Sequence, residues 1–213
     1  MKKISFTVAD GAITIAGNYW QGKGERALVL LHMMPATKES WNVCAEAFNK
    51  VGYDVLAIDL RGHGESGGGV YTNFKDQDHQ TSEQDVEGAR MWFEDRGIHP
   101  ENIYIGGASI GANLAIQYLA KHSECKAIFC LSAGLRYRGI ETLPLVRRLE
   151  AAQKIFLAAA KDDERVPDAA MQTEELYSAA TAEKQLKIFE TGGHGTDMFN
   201  EHPDLINLII SYL

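Results

Sequence analysis

Ser109 has the setting that most calls for a chemical explanation. It lies in Gly107-Ala108-Ser109-Ile110-Gly111, a G-x-S-x-G pattern, directly after the apolar run Ile103-Tyr104-Ile105 and directly before an amphipathic stretch. A strand that turns into a helix within about one residue forces the corner residue into a strained conformation. Side chains two positions before and two after that corner collide unless both are minimal, which accounts for glycine at 107 and 111. The serine hydroxyl is then pushed out above the sheet, beside the free N–H groups of a helix N-terminus, where developing negative charge is favoured. The chemistry this serves is nucleophilic attack. The bland alternative is a helix cap, with the glycines merely permitting close packing. A phosphate loop does not fit: Gly106 and Gly111 have its interval, but Ala112-Asn113 stands where Lys followed by Ser or Thr is required.

A serine hydroxyl is a weak nucleophile until a base takes its proton, and the base needs an acid to orient it. Downstream of Ser109, His194 sits in the glycine-flanked stretch Thr191-Gly192-Gly193-His194-Gly195, just past an apolar run. Glycines there let an imidazole loop fold over a sheet edge. The run Lys154–Ala160 is followed by two adjacent carboxylates, Asp162 and Asp163. Asp163, three positions before Val166-Pro167, is the favoured orienting acid, and Asp162 reads as a solvent-exposed or capping carboxylate. Asp197 reads as a local cap. His99, His122 and His202 lie at element ends and His79 in a polar loop, where an ordinary surface role suffices.

These side chains need a scaffold that brings distant positions together. Two alternating segments around Asp10-Gly11 predict an antiparallel opening hairpin. The apolar runs at 27–34 and 54–60 predict strands buried within a sheet, 126–134 and 154–160 predict further strands, and 184–190 predicts the last strand. Helical spacing recurs in Trp41, Cys44, Ala45 and Phe48, and in Ile110, Leu114, Ala115 and Tyr118. Thr81-x-x-Gln84 has the form of a capping box that opens a helix burying Val86, Ala89 and Phe93. Residues 203–213 predict the last helix. Strands alternating with helices imply a mostly parallel, twisted sheet of about eight strands with helices on both faces. Such sheets place their ligand sites at the carboxyl ends of strands, where His32, Asp59, Ser109, Asp163 and His194 all fall.

The chain's 213 residues form a single domain, 1–213, large enough for a real core. A net charge of −8 argues against nucleic-acid or anionic-membrane binding. No apolar run approaches the roughly 20 residues that span a bilayer. The opening MKKISFTVAD lacks the apolar region of a signal peptide. Cys44, Cys125 and Cys130 are odd in number and fit no metal spacing, so buried reduced thiols and a cytoplasmic location are expected.

Taken in order, Leu30–Trp41 (LLHMMPATKESW), Asp59–Gly68 (DLRGHGESGG), Gly106–Asn113 (GGASIGAN), Lys161–Pro167 (KDDERVP) and Gly192–Gly195 (GGHG) resemble the α/β-hydrolase superfamily over nearly the whole chain. The resemblance is to small serine esterases without a cap domain, akin to dienelactone hydrolases but with serine as nucleophile. It implies a triad of Ser109, Asp163 and His194, since an acid followed by Val-Pro is the family's triad member. It makes Asp59, Arg61 and His63 structural. It implies an oxyanion hole built from the backbone N–H groups of Ile110 and Met34, with Met33, which stands where the family usually has glycine, as the alternative second donor. Met33 and Met34 are candidates to line an acyl pocket. No metal and no cofactor are needed.

Only about 20 residues separate the strand ending near Gly134 from the one beginning near Lys154, enough for a loop and a short helix rather than a cap. The expected activity is hydrolysis of small, short-chain acyl esters by a monomer or small homo-oligomer. Thioester or peptide cleavage with the same triad, and a non-catalytic binding protein, are the alternatives. Arg136, Arg138, Arg147 and Arg148 in this short connection read as a solvated face, and residues 67–80 as a polar, glycine-rich loop edging the pocket.

Overall fold

The computed structural model describes residues 1–8 and 11–213, so Ala9 and Asp10, at the tip of the expected opening hairpin, lie outside the described residues. The strands are β1 (Lys2–Val8), β2 (Ile13–Trp20), β3 (Ala27–Leu31), β4 (Asp54–Ile58), β5 (Ile103–Ala108), β6 (Ala127–Leu131), β7 (Arg136–Tyr137), β8 (Ile140–Glu141), β9 (Lys154–Ala160) and β10 (Glu183–Phe189). Eight of them form one sheet in the order β1-β2-β4-β3-β5-β6-β9-β10, and β7 pairs with β8 apart from it. The β1/β2 and β2/β4 pairs are antiparallel, and all other pairs in the large sheet are parallel.

The helices are α1 (Asn42–Lys50), α2 (Asp76–Gln80), α3 (Glu83–Glu94), α4 (Ile110–Lys121), α5 (Thr142–Val146), α6 (Ala169–Ala179), α7 (Met198–Glu201) and α8 (Asp204–Tyr212). The sheet separates two apolar layers. In β3, Val29 and Leu31 point into the layer under α3, α4, α5 and α6, while Leu28 and Leu30 point into the layer under α1 and α8. All five β3 residues are buried, so the strand reads as an unbroken apolar run rather than an alternating one. The α6 helix buries only Ala169, Thr173 and Leu176, which is why its sequence carries no marked apolar stripe.

Register fixes the level of the site. Leu31 lies opposite Gly107, Ala108 opposite Leu131, Leu131 opposite Ala158, and Ala160 opposite Phe189. The carboxyl ends of β3, β5, β6, β9 and β10 therefore finish along one rim. Between β6 and β9 the chain forms only the β7–β8 hairpin and α5, so no cap domain covers that rim.

Two local expectations are corrected. Thr81 and Gln84 do not form a capping box: the cap of α3 is Ser82, Thr81 Oγ1 donates to Asp78 O at 2.8 Å, and Gln84 Oε1 accepts from Arg61 Nη2 at 3.3 Å. The short α2 helix ends at this point and takes Thr81 for its own terminus. Residues 67–80 do not edge the Ser109 pocket either. Gly62 N–H donates to Gly67 O and Tyr71 N–H to Gly62 O, folding the segment back over the turn after β4. Gln77 and Gln80 line a separate groove beside α3 and α4.

Candidate active site

The turn between β5 and α4 has the geometry that the glycines permit. Ser109 sits at φ 54° and ψ −116°, a region that non-glycine residues rarely occupy and that costs on the order of 1–3 kcal/mol. Two hydrogen bonds hold it there: Ser109 N–H to Leu131 O at 2.9 Å, and Asn113 N–H to Ser109 O at 3.0 Å. A Cβ on Gly107 would stand 2.2 Å from Gly111 O, and one on Gly111 would stand 2.3 Å from Leu31 O. Those neighbours are backbone atoms that no rotamer change can move. Glycine at 107 and 111 is the condition for a helix that starts at once against the strand.

His194 and Asp163 meet across two loops. His194, in the loop after β10, donates from Nδ1 to Asp163 Oδ2 at 2.6 Å, and both side chains are buried. The other oxygen of Asp163 accepts from the N–H groups of Arg165 at 3.0 Å and Val166 at 2.9 Å. Burial raises the Asp163 pKa, but the bonds from His194, Val166 and Arg165 outweigh it and hold the carboxyl below its ordinary value. An ionised Asp163 fixes the proton of His194 on Nδ1 and leaves Nε2 free as a base. Asp162 has a different task. Its carboxylate accepts from Gly192 N–H at 3.1 Å and Gly193 N–H at 2.9 Å, tying the histidine loop to the β9 loop.

Ser109 and His194 line one pocket of about 170 Å³, with Met34, Asn113, Ser132 and Val166 among its other walls. Ser109 Oγ makes no hydrogen bond among the described residues. Met34 lines this pocket; Met33 does not. The Met33 side chain is buried in the layer under α1 and α8, and its sulfur comes within 4.0 Å of Thr196 Oγ1. Of the two methionines, only Met34 is placed to meet a ligand beside Ser109. Neither Met34 N–H nor Ile110 N–H has a hydrogen-bond acceptor among the described residues.

His32 and Asp59 tie down the loop that carries Met34. His32 Nδ1–H donates to Met33 O at 2.9 Å, and its Nε2 accepts from Leu60 N–H at 3.0 Å. The buried Asp59 carboxylate accepts from Lys38 N–H at 2.8 Å, Lys38 Nζ at 2.6 Å and Glu65 N–H at 2.9 Å. Arg61 pairs with the buried Asp85 at 2.7 Å. The His32 and Asp59 contacts stitch the loops after β3 and β4 together, and the Arg61–Asp85 pair ties the turn after β4 to α3.

His32 also makes stability depend on pH. Burial, then the neighbouring His63, pushes its imidazole down to about 4 from 6.5. Between those values the unfolded chain holds the proton and the folded chain does not, so stability falls as pH drops through that window. His63 and His79 are lowered by burial and act in the same direction. Asp163 acts in a lower window, as its depressed carboxyl is protonated. Urea unfolding should lose about 3 kcal/mol to His32 alone between neutral pH and pH 4. A free energy of unfolding that stays flat across this range would contradict the assignment.

Sequence reasoning missed Ser132 and Asn113. Ser132 follows β6 directly at φ 51°, and its Oγ accepts from Gly195 N–H at 2.9 Å, holding the residue next to His194. Asn113 clamps Gly134, donating to its carbonyl at 3.1 Å and accepting from its N–H at 3.0 Å. Ser132 obeys the same rule that marked Ser109, a polar residue directly after a buried strand, and the rule should have flagged it.

The family model described as alpha/beta hydrolase fold matches residues 26–150. A thermostable monoacylglycerol lipase of Bacillus sp. (strain H-257) is 30% identical over 107 residues, covering 49% of this chain and 38% of that protein. A multifunctional-autoprocessing repeats-in-toxin protein of Vibrio vulnificus is 32% identical over 118 residues, 54% of this chain but 2% of the toxin. The chain thus spans well under two thirds of the curated relatives it matches. Among solved structures, an esterase of Pyrococcus furiosus superposes with a TM-score of 0.83 at 19% identity, covering 100% of this chain and 91% of the esterase. An esterase of Exiguobacterium antarcticum superposes with a TM-score of 0.78 at 15% identity, covering 98% of each chain. The strand order, the missing cap and the family match agree: the chain belongs to the α/β-hydrolase family.

Proposed function

We propose that the protein is a serine carboxylic-ester hydrolase acting on small, short-chain acyl esters, with Ser109 as nucleophile, His194 as base and Asp163 as orienting acid. The observation that carries this reading is the 2.6 Å bond from His194 Nδ1 to the buried Asp163 carboxylate, with that imidazole lining the same pocket as the strained Ser109. The esterases and the monoacylglycerol lipase that the chain resembles favour the same reading.

In this mechanism Ser109 Oγ attacks the carbonyl carbon as His194 Nε2 takes the hydroxyl proton. The oxygen of the tetrahedral intermediate is stabilised by the N–H groups of Ile110 and Met34, each worth roughly 3 kcal/mol of barrier. Collapse breaks the bond to the alcohol, which leaves with the proton from His194. Water, deprotonated by His194, then attacks the acyl-enzyme and releases the acid and free Ser109. No step needs a metal or cofactor. Three buried, unpaired thiols fit a reducing compartment such as the cytoplasm.

A pocket of about 170 Å³ favours small acyl groups. Steady-state rates on ethyl acetate, butyrate, octanoate and laurate test this directly. kcat/KM should fall by about tenfold or more from butyrate to octanoate. Rates that rise towards laurate would overturn the short-chain reading. A matched thioester and a peptide amide, run in parallel, show which bond is cleaved fastest; ester should lead.

A further inference from the structure

The pocket around Ser109 carries a charge pattern that hydrolysis of a neutral ester leaves unused. Its walls include Arg136 and Arg165 and no carboxylate, in a chain whose net charge is −8. The two guanidinium groups come from different segments. Arg136 opens β7, just past the Gly134 loop, and Arg165 lies in the β9 loop two residues beyond Asp163. Arg165 has no ion-pair partner among the described residues, and its Nη1 donates only to Met34 O, at 3.4 Å. Arg136 meets one carboxylate, Glu141, at 3.7 Å, with side chains 72% and 59% exposed. An exposed pair at that distance contributes little and gives way readily to a better partner.

The nearby acids are otherwise engaged or turned to solvent. Asp163 is held by His194 and two backbone N–H groups, Asp162 by Gly192 and Gly193, and Glu164 is exposed. Within its own walls the pocket therefore offers an anion two guanidinium groups and no carboxylate, while Asp162, Glu164, Asp197 and Glu201 line the adjoining groove that shares Arg165 and His194. Arginine suits this role because its planar fork binds a carboxylate through two parallel hydrogen bonds.

We infer that the substrate is a short ester bearing a carboxylate, on either its acyl or its alcohol part, and that Arg136 and Arg165 hold that charge while Ser109 attacks the ester carbonyl. The inference rests on the hydrolase reading and narrows it to a substrate class. The small pocket takes the reacting end of the molecule, and the arginines at its rim take the anionic end.

Matched pairs of esters test it. Ethyl hydrogen succinate against ethyl pentanoate places the charge on the acyl side, and acetoxyacetate against propyl acetate places it on the alcohol side, with ethanol or acetate release as the signal. At least one anionic ester should exceed its neutral partner in kcat/KM by about tenfold, the ratio that one charge-assisted hydrogen bond supports. The pair that shows the preference identifies which side carries the charge. Arg136→Gln and Arg165→Gln should each lower that ratio severalfold, Arg165→Lys should keep only the part due to charge and fall between the parent and Arg165→Gln, and added salt should reduce it. Neutral esters hydrolysed as fast as both anionic ones, or a ratio unchanged in both glutamine variants, would overturn the inference and leave the hydrolase reading standing. Absence of turnover on all four esters would overturn both.

Discussion

Ser109→Ala is expected to lower kcat for ester hydrolysis by about a million-fold, the loss typical when a serine nucleophile is removed. The fold should be almost untouched. Ser109 Oγ makes no hydrogen bond among the described residues, so its loss strands no partner. Alanine presents the same Cβ to the strained φ of 54°, so the backbone cost is unchanged. The bonds that hold the turn, to Leu131 O and from Asn113 N–H, are both made by the backbone of residue 109. Stability should therefore stay within about 0.5 kcal/mol of the parent protein. A large loss of rate at constant stability separates chemistry from packing. A variant that keeps a tenth of the parent rate would show that the turn has another purpose.

Asp163→Asn is expected to lower kcat/KM by about ten-thousand-fold, and Asp162→Asn by about tenfold or less. The contrast follows from what each carboxylate holds. Asp163 Oδ1 accepts from the N–H groups of Arg165 and Val166, so an asparagine there keeps its oxygen on that side. Its NH₂ group is then left facing His194 Nδ1. The imidazole must accept at Nδ1 and move its proton to Nε2, where it can no longer take a proton from Ser109. Asp162 holds only the Gly192 and Gly193 N–H groups. An asparagine oxygen can still accept from one of them, so the histidine loop loosens without reversing its tautomer. Initial rates on one acetate ester for both variants settle the matter, and the opposite ranking would move the orienting acid to Asp162.

The sequence made the chemistry more legible than the scaffold details. Glycine at 107 and 111 announces a backbone approach that admits no side chain, and clearances of 2.2 and 2.3 Å to backbone atoms are the reason. Asp163 could be found because it follows the buried strand β9, and His194 because it follows the last strand, β10, in a glycine-flanked loop. Strand ends were harder. The apolar runs at 27–34, 54–60 and 126–134 continue past β3, β4 and β6, which stop at Leu31, Ile58 and Leu131. Met33, Leu60 and Ala133 beyond those ends are buried as well, so hydrophobicity alone does not mark where the ladder stops. Met33 and Met34 are alike in composition and differ only in direction, one facing the core and one the pocket. That difference belongs to the turn after β3 and to the His32–Leu60 bond across it. Thr81 and Gln84 fail as a capping box because α2 and Arg61 compete for them. Arg136 reads as one of several arginines in a short connection until the fold sets it beside Ser109 with Arg165.

Reaction with a fluorophosphonate, followed by intact mass and peptide mapping, tests the central claim most directly. The reagent's phosphorus is captured only by a serine whose proton is being removed by a neighbouring base. One adduct on Ser109 is predicted, absent in Ser109→Ala and formed at least about a hundredfold more slowly in His194→Ala. An adduct on another residue, or none on the folded protein, would contradict the account.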